Sequence, residues 1–390
     1  MAGSDDIITV SILILVLMVH PVLFGIVGAT ATGSDGFEPV FQKGMTYRHY
    51  PYPYDSSFSN ESLERMARTN TEYVAITVWW MQKNITATEI YREANWTATD
   101  KALAIAIAKS HELGMKVMLK PMVDPEEYYT QSRGNIPSTP EWFDSYKKLI
   151  SSYAAFAEEN HVDLLCIGCE FKATEKDTTN WNQVIDEVKE HYTGPLTYSA
   201  TFDSFQSITW WDRLDYVGID AYFPLTSKNN PSIGELIQAW NRIANALENY
   251  ASTVKKPIIF TEIGYRSGDG NNLEPANWMA PLIPDYQEQL NSYEATFQTL
   301  WNRPWFYGFY WWIWETNPNA GGLTDNDFTP QNKPAELLLK NWYSKQPHTD
   351  QTIDLSKLLV PSAVSVLIFT CTILGVTRKF TNPRKQHDQS

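Results

Sequence analysis

The stretch TDKALAIAIAKSHELGMKVMLKP, residues 99–121, contains one complete repeat of the chain's architecture. An amphipathic helix is predicted over residues 99–113, and Gly114 provides the left-handed residue at which helices commonly stop. A short apolar strand, residues 116–121, follows at once. A helix that returns directly to a buried strand is the unit of a parallel sheet.

The same alternation continues from about residue 36 to residue 344. Eight strands are predicted, at residues 43–48, 73–79, 116–121, 164–170, 196–201, 216–222, 257–263 and 306–312. Eight strand–helix units in about 300 residues match a (β/α)8 TIM barrel, and we predict that α/β fold. The alternative, a doubly wound open sheet, needs a glycine-rich phosphate loop after its first strand, and GMTYRHYPYPYD offers none.

The composition limits the function classes open to the chain. Its 390 residues include 31 Lys and Arg against 45 Asp and Glu, a net charge of −14 at pH 7. This balance argues against a nucleic-acid partner, which needs a basic face to neutralise phosphates. Aromatic residues make up 14% of the chain, including 15 tryptophans, and a tryptophan-rich acidic chain favours carbohydrate handling.

Two long apolar segments flank the repeating region. Residues 7–31 carry no charge and are long enough to span a bilayer, which takes about 20 apolar residues. They are predicted to be either a cleaved secretory signal or an uncleaved N-terminal anchor. Residues 358–376 precede Arg378, Lys379, Arg384 and Lys385, and such a basic flank marks the cytoplasmic side of a transmembrane helix.

The predicted organisation has five parts. Residues 1–35 are the signal or anchor, 36–345 the barrel domain, 346–357 a juxtamembrane linker, 358–376 a transmembrane helix and 377–390 a basic cytoplasmic tail. We therefore expect a single-pass or two-pass cell-membrane protein that contacts membrane lipid through its ends and holds the barrel outside the cell. Sequons at Asn60, Asn84 and Asn95 agree with an extracellular glycoprotein.

Two glutamates end predicted strands, where barrel active sites lie. The fourth strand, LLCIGCE, ends in Glu170, and the seventh, PIIFTE, ends in Glu262. A carboxylate there is costly to bury unless it is paired or used. A structural ion pair stays open for either residue alone, but two facing carboxylates can cleave a glycosidic bond. A gap of about 5–5.5 Å gives retention of configuration and a wider gap gives inversion.

The texts GMTYRHY, LLCIGCEF, YVGIDAYFPL, IIFTEIGYRS and FYWWIWE resemble glycoside hydrolase family 113, within clan A, over the whole region between the apolar segments. The resemblance implies a retaining endo-β-1,4-mannanase with Glu170 as acid/base and Glu262 as nucleophile. One residue departs from the clan, because Cys169 stands where many members have an asparagine that contacts the sugar 2-hydroxyl. The implied partner is a β-mannan or a related polysaccharide.

Further strand-end residues are predicted to bind substrate: Tyr222, Trp312, Trp79, Trp80, Trp314, Arg48, Lys120 and Asp203. In the related enzymes a tyrosine bonds the nucleophile and a tryptophan from the eighth strand stacks on the sugar at the scissile bond, which implies these roles for Tyr222 and Trp312. Asp220, two residues before Tyr222, is a candidate for a buried polar network. Packing or a surface ion pair stays open for each of these residues.

No motif for a cofactor or metal occurs in the sequence. The seven histidines include no pair at metal-ligand spacing, and neither a G-x-S-x-G elbow nor a Walker motif is present. Cys166 and Cys169 form a C-x-x-C, but positions three apart on a strand face opposite sides. We therefore interpret both as core packing and predict a hydrolase without a cofactor.

Three other functions remain open at this stage. One is a β-galactanase or β-glucanase of the same clan, and a second is a transglycosylase that would share every residue named above. The third is a surface receptor that binds carbohydrate on a catalytically silent barrel. Keeping both Glu170 and Glu262 argues against the receptor, because binding alone does not require two facing carboxylates.

Overall fold

The computed structural model describes residues 37–348, and this region folds into a closed barrel of parallel strands. The strands are β1 (Gln42–Arg48), β2 (Tyr73–Gln82), β3 (Ile90–Tyr91), β4 (Lys116–Pro125), β5 (Leu164–Cys169), β6 (Leu196–Thr201), β7 (Val217–Asp220), β8 (Ile258–Ile263) and β9 (Phe306–Glu315). They pair in the order β1-β9-β8-β7-β6-β5-β4-β2, and a β1–β2 pairing closes the ring. The predicted eight-stranded barrel is therefore confirmed, and β3 is an antiparallel addition to β2.

Helices cover the outside of the barrel. They are α1 (Ser57–Ala67), α2 (Asp100–Glu112), α3 (Pro140–Glu159), α4 (Thr178–His191), α5 (Ile233–Val254), α6 (Tyr286–Leu300) and α7 (Pro334–Tyr343). None of the helices within residues 37–348 has both the length and the apolar character that a bilayer span requires. The apolar segments predicted at 7–31 and 358–376 lie outside the described residues.

Local sequence signals define where several of the helices begin and end. Pro140 opens α3, and Ser232 with Glu235 forms a complete capping box at the start of α5. Gly114 follows α2 with φ of 80°, in the left-handed region that a helix stop requires. The connection between β6 and β7 contains a pair of 3-10 turns, Phe205–Ser207 and Trp211–Arg213.

Tryptophan supplies much of the packing between barrel and helices. Its largest fully buried side chains include Trp142, Trp181, Trp210, Trp211, Trp240, Trp311 and Trp314. Trp181 stacks on Trp210 with ring centroids 4.9 Å apart, and Trp311 stacks on Tyr293 at 3.7 Å. A large part of the aromatic excess therefore stabilises the fold rather than binding a ligand.

Candidate active site

Glu262 lies in β8, and two hydrogen-bond donors hold its carboxylate inside the barrel mouth. The residue is 5% exposed. The Lys120 ammonium from β4 donates to Oε1 at 2.6 Å, and the Tyr222 hydroxyl donates to Oε2 at 2.8 Å. Burial and the charge of Asp220 raise the pKa of Glu262 above its ordinary value, although Lys120 and Tyr222 oppose that rise. Both donors prefer the ionised carboxylate, and both oxygens are fixed in direction.

Glu170 occupies a different position, because β5 ends one residue earlier, at Cys169. Its φ of 57° is left-handed, and its backbone N–H donates to the Ser199 carbonyl at 2.7 Å. Burial, followed by the negative charge of Asp220, raises the pKa of Glu170 to about 8, against an opposing effect of Arg133. No side chain within residues 37–348 is seen to donate a hydrogen bond to this carboxyl group. Glu170 therefore keeps its proton at neutral pH.

A buried network lies beneath the two glutamates. Lys120 and Asp220 are both fully buried, with Lys120 Nζ 3.4 Å from Asp220 Oδ1. Ser199 and Thr261 donate to the same oxygen at 2.5 and 2.8 Å. Burial alone would lower the pKa of Lys120, but the carboxylates of Asp220 and Glu262 outweigh it and hold that pKa well above its ordinary value. The lysine is therefore a permanent cation between two acidic groups.

Cys169 belongs to this network, so its interpretation as simple core packing is wrong. Its Sγ contacts Asp220 Oδ2 at 3.7 Å and accepts from Arg133 at 3.2 Å. The strand-parity argument fails because β5 has a register shift between Cys166 and Cys169. With this shift, a Cβ atom at Gly168 would meet the rings of Tyr198 and Trp181, outside the barrel. The shift lets Cys169 and Cys166 both approach Lys120 and Asp220.

Both cysteines are free thiols. Burial raises the pKa of Cys166 to about 12, and it raises the pKa of Cys169 well above its ordinary value. Nucleophilic chemistry at cysteine needs the thiolate. These two residues are therefore buried, uncharged thiols rather than nucleophiles.

Two of the predicted tryptophans meet beside the glutamates. Trp79 at the mouth of β2 and Trp312 in β9 have ring centroids 6.3 Å apart at an interplanar angle of 74°. Both are partly exposed. Trp312 also packs against the group of Tyr222, Ile313 and Phe328. These two partly exposed rings therefore adjoin Tyr222, the residue that orients Glu262.

The geometry agrees with a comparison of the whole chain against known families. The sequence profile of Glycoside Hydrolase Family 113 matches residues 45–333. The chain belongs to glycoside hydrolase family 113.

Solved structures of family 113 enzymes share this barrel. A structure entitled a complex of a GH113 β-1,4-mannanase is 26% identical with a TM-score of 0.72, covering 79% of this chain and 100% of that one. The GH113 β-mannanase AaManA from Alicyclobacillus acidocaldarius, in complex with ManMIm, is 26% identical with a TM-score of 0.71, covering 78% and 97%. A β-glucuronidase from Ruminococcus gnavus, 13% identical with a TM-score of 0.54, covers 79% of this chain and 50% of its own and shares the fold alone. A search of curated protein sequences finds no match.

The family 113 barrel does not bring every predicted substrate-binding residue to its mouth. Trp80 points outward, where its indole N–H donates to Tyr153 of α3 at 2.8 Å and the Arg92 guanidinium covers its ring. Trp314 is fully buried and donates to Ser62 of α1 at 2.9 Å. The prediction for these two tryptophans is wrong, since successive strand residues alternate faces and a register shift against β1 lies between Trp311 and Trp314.

Arg48 and Asp203 lie at the rim. Arg48 pairs with Glu315 at 2.7 Å rather than with either catalytic candidate. Asp203 is exposed, pairs with Lys172 at 2.7 Å and accepts a hydrogen bond from Thr201.

Sequence reasoning missed Arg133, Glu315, Ser199 and Thr261. Arg133 follows β4 and makes a double hydrogen bond to Asp124, with both distances 2.7 Å, while also contacting Cys169. A lone arginine in a loop carries no signal of this kind. Ser199 and Thr261 could have been found, because each is a polar residue within a buried barrel strand.

Proposed function

We propose that this family 113 hydrolase is a retaining endo-β-1,4-mannanase. The observation that supports the proposal is the asymmetry of the two glutamates. Glu262 receives two donors that favour its ionised form, whereas Glu170 has a pKa raised to about 8 by burial and by Asp220. Double displacement requires one carboxylate that can attack and one carboxylic acid that can donate a proton.

In the first step the ionised Glu262 attacks the anomeric carbon. The bond from that carbon to the leaving oxygen breaks, and the oxygen takes the proton of Glu170. The product is a glycosyl ester on Glu262, with Glu170 now ionised. In the second step Glu170 removes a proton from water, the water oxygen attacks the anomeric carbon, and Glu262 leaves as a carboxylate.

The β-mannan substrate is inferred from the relatives, because the family 113 structures that match this chain are described as β-1,4-mannanases. Trp79 and Trp312 support binding of a chain of sugars rather than one terminal unit, since two neighbouring, partly exposed rings can stack on pyranose rings.

The test uses the full chain with mannohexaose and cellohexaose, with products sized by chromatography and their anomeric configuration followed by NMR in the first turnovers. We expect faster cleavage of mannohexaose, internal cuts, and a β-configured product that mutarotates later. An initial α product would contradict double displacement. Equal or faster cleavage of cellohexaose, or release of monosaccharide alone, would contradict the assigned substrate or mode of attack.

The site of action proposed for this enzyme is the outer face of the cell membrane. Residues 358–376 and the basic residues after them support a transmembrane helix with a cytoplasmic tail, and residues 7–31 support a signal or a second anchor. Protease added to intact cells should cut the barrel and spare the tail. Protection of the barrel would contradict this orientation.

A further inference from the structure

Four aromatic side chains from three loops contact one another at the carboxyl ends of the strands. Trp96 follows β3, Tyr128 and Tyr129 follow β4, and Trp278 lies in the loop after β8. The Tyr128 ring lies 5.9 Å from Trp96, 4.2 Å from Tyr129 and 6.3 Å from Trp278, and Tyr129 lies 5.4 Å from Trp278. We call these four residues the aromatic bridge.

The bridge joins opposite sides of the barrel. In the eight-membered ring of strands, β4 and β8 are separated by β5, β6 and β7 in one direction and by β2, β1 and β9 in the other. Loops that leave opposite strands and touch must cross the mouth. Glu170 and Glu262 open into that mouth, so a polysaccharide that reaches them has to pass the bridge.

The loop that carries Tyr128 and Tyr129 leaves the end of β4, where Asp124 lies. Burial, followed by the neighbouring Tyr129 and the charge of Asp124, raises the pKa of Tyr128 to about 12. Asp124 in turn holds Arg133 through two hydrogen bonds, and Arg133 contacts Cys169 beside Glu170. The strand end that carries two rings of the bridge therefore also holds Arg133 against Cys169.

The bridge presents aromatic surface to solvent. Trp96 is 44% exposed, Tyr129 59% and Trp278 46%, although large aromatic side chains are mostly buried in this protein. Clustered exposed rings at the mouth of an enzyme indicate a ligand-binding surface. The apolar C–H faces of pyranose rings are suited to stack on them.

The loop that carries Trp278 has a fixed base, and Trp278 lies towards its tip. A β-bridge between Gly268 and Pro284 closes its base, and the Asp269 N–H donates to the Ile283 carbonyl at 2.8 Å. Trp278 lies midway between these two ends of the loop. The ring contacts hold the tip to the β4 side of the mouth through weak interactions that can break and re-form.

We propose that the aromatic bridge is a substrate clamp: the Tyr128–Trp278 contact opens to admit a polysaccharide chain, and the rings then stack on its sugars. The clamp rests on the proposed function for the identity of the sugar. It binds the chain beyond the scissile bond, so its contribution grows with the number of sugar units.

The experiment compares Trp278→Ala, Tyr128→Ala and Trp278→Phe in the full chain, with Tyr307→Ala as control. Tyr307 is a partly exposed aromatic residue at the opposite end of the barrel. KM and kcat are measured on mannotriose to mannohexaose. Binding of mannohexaose is measured separately by titration in a Glu262→Gln background, and thermal unfolding checks that each variant folds.

For Trp278→Ala and Tyr128→Ala we expect the KM and the dissociation constant for mannohexaose to rise about 5- to 10-fold, the scale of one lost aromatic contact, with a smaller effect on mannotriose. Trp278→Phe, which keeps a ring, should stay within about twofold of wild type. Tyr307→Ala should leave both constants unchanged. A change in kcat of the alanine variants with no change in KM would contradict a clamp.

An unchanged KM in both alanine variants would overturn the clamp, and a lowered KM on mannan would show that the bridge is only a barrier. If the wild type cleaves another β-linked polysaccharide instead, the proposed substrate is wrong, and the same comparison with oligomers of that polysaccharide decides the clamp. If the chain with an intact bridge binds none of them, both proposals fail.

Discussion

The ends of β5 and β8 present the same side chain in two different settings. Glu262 lies within its strand, with Lys120 and Tyr222 donating to its two oxygens. Glu170 lies one residue past its strand in a left-handed backbone, close to the negative charge of Asp220. The comparison shows that the roles of two glutamates are set by neighbours that arrive from other strands, with Lys120 coming from β4 and Tyr222 from just after β7.

Removal of the Glu262 carboxylate should produce the largest effect. Glu262→Ala deletes the attacking group, and we expect kcat to fall by at least about 10⁴-fold on any substrate, as for other covalent nucleophiles. Azide can occupy the vacated space and attack in one displacement. Product analysis should then show an α-glycosyl azide, whereas a β-azide would assign the nucleophile to Glu170.

Glu170→Ala should be less severe and should depend on the leaving group. General acid catalysis contributes about 10²- to 10⁴-fold, and this loss is expected on mannohexaose. A dinitrophenyl glycoside needs no proton, so its first step should stay fast and produce a burst of dinitrophenol. Added azide should accelerate turnover and give a β-glycosyl azide. A slow first step on this substrate would show that Glu170 does more than transfer protons.

Lys120→Met tests whether the buried Lys120 ammonium causes the difference in protonation between Glu262 and Glu170. Without it, Glu262 loses a donor and faces Asp220 unshielded, so its pKa should rise further and the acidic limb of kcat/KM should move to higher pH. Removing one partner of a buried ion pair costs about 3–5 kcal/mol of folding free energy. Thermal unfolding and the pH profile are therefore measured together. An unmoved acidic limb in a folded variant would remove Lys120 from the control of Glu262.

Glu170→Gln tests the raised pKa of Glu170 through the pH dependence of the free energy of unfolding. The folded pKa of Glu170 is about 8, whereas an unfolded glutamate titrates at about 4.3. The folded chain therefore binds the extra proton between these values, and its stability falls as pH rises through that window. The glutamine variant lacks this loss, so its stability advantage should grow by on the order of 2 kcal/mol from pH 5 to pH 7. A constant difference in denaturant unfolding across that range would mean that Glu170 ionises normally.

The contrast between the strand ends also shows what sequence can and cannot predict here. Strand–helix alternation and the helix stop at Gly114 predicted the barrel because these signals are local. The two glutamates could be placed at the mouth because barrel topology gathers strand ends there. Register shifts could not be foreseen from strand parity.

Two predictions from the sequence are wrong because of these register shifts. The shift in β5 brought Cys169 into the network, and the shift between β1 and β9 accompanies the burial of Trp314. Arg133 and the aromatic bridge depend on how loops from different strands meet, which no pattern along the chain records.

The smallest effect is expected at Cys169, which lies between the surroundings of Glu262 and those of Glu170. Its Sγ contacts Asp220 on the side of Lys120 and accepts a hydrogen bond from Arg133 on the side of Glu170. A serine hydroxyl can make both contacts, so Cys169→Ser should change kcat/KM by only about 2- to 10-fold, the range of one hydrogen bond altered in strength. Because burial keeps the pKa of the thiol high, wild type and variant should have the same pH profile. Loss of activity by several orders of magnitude, with folding intact, would instead show that sulfur itself takes part in the reaction.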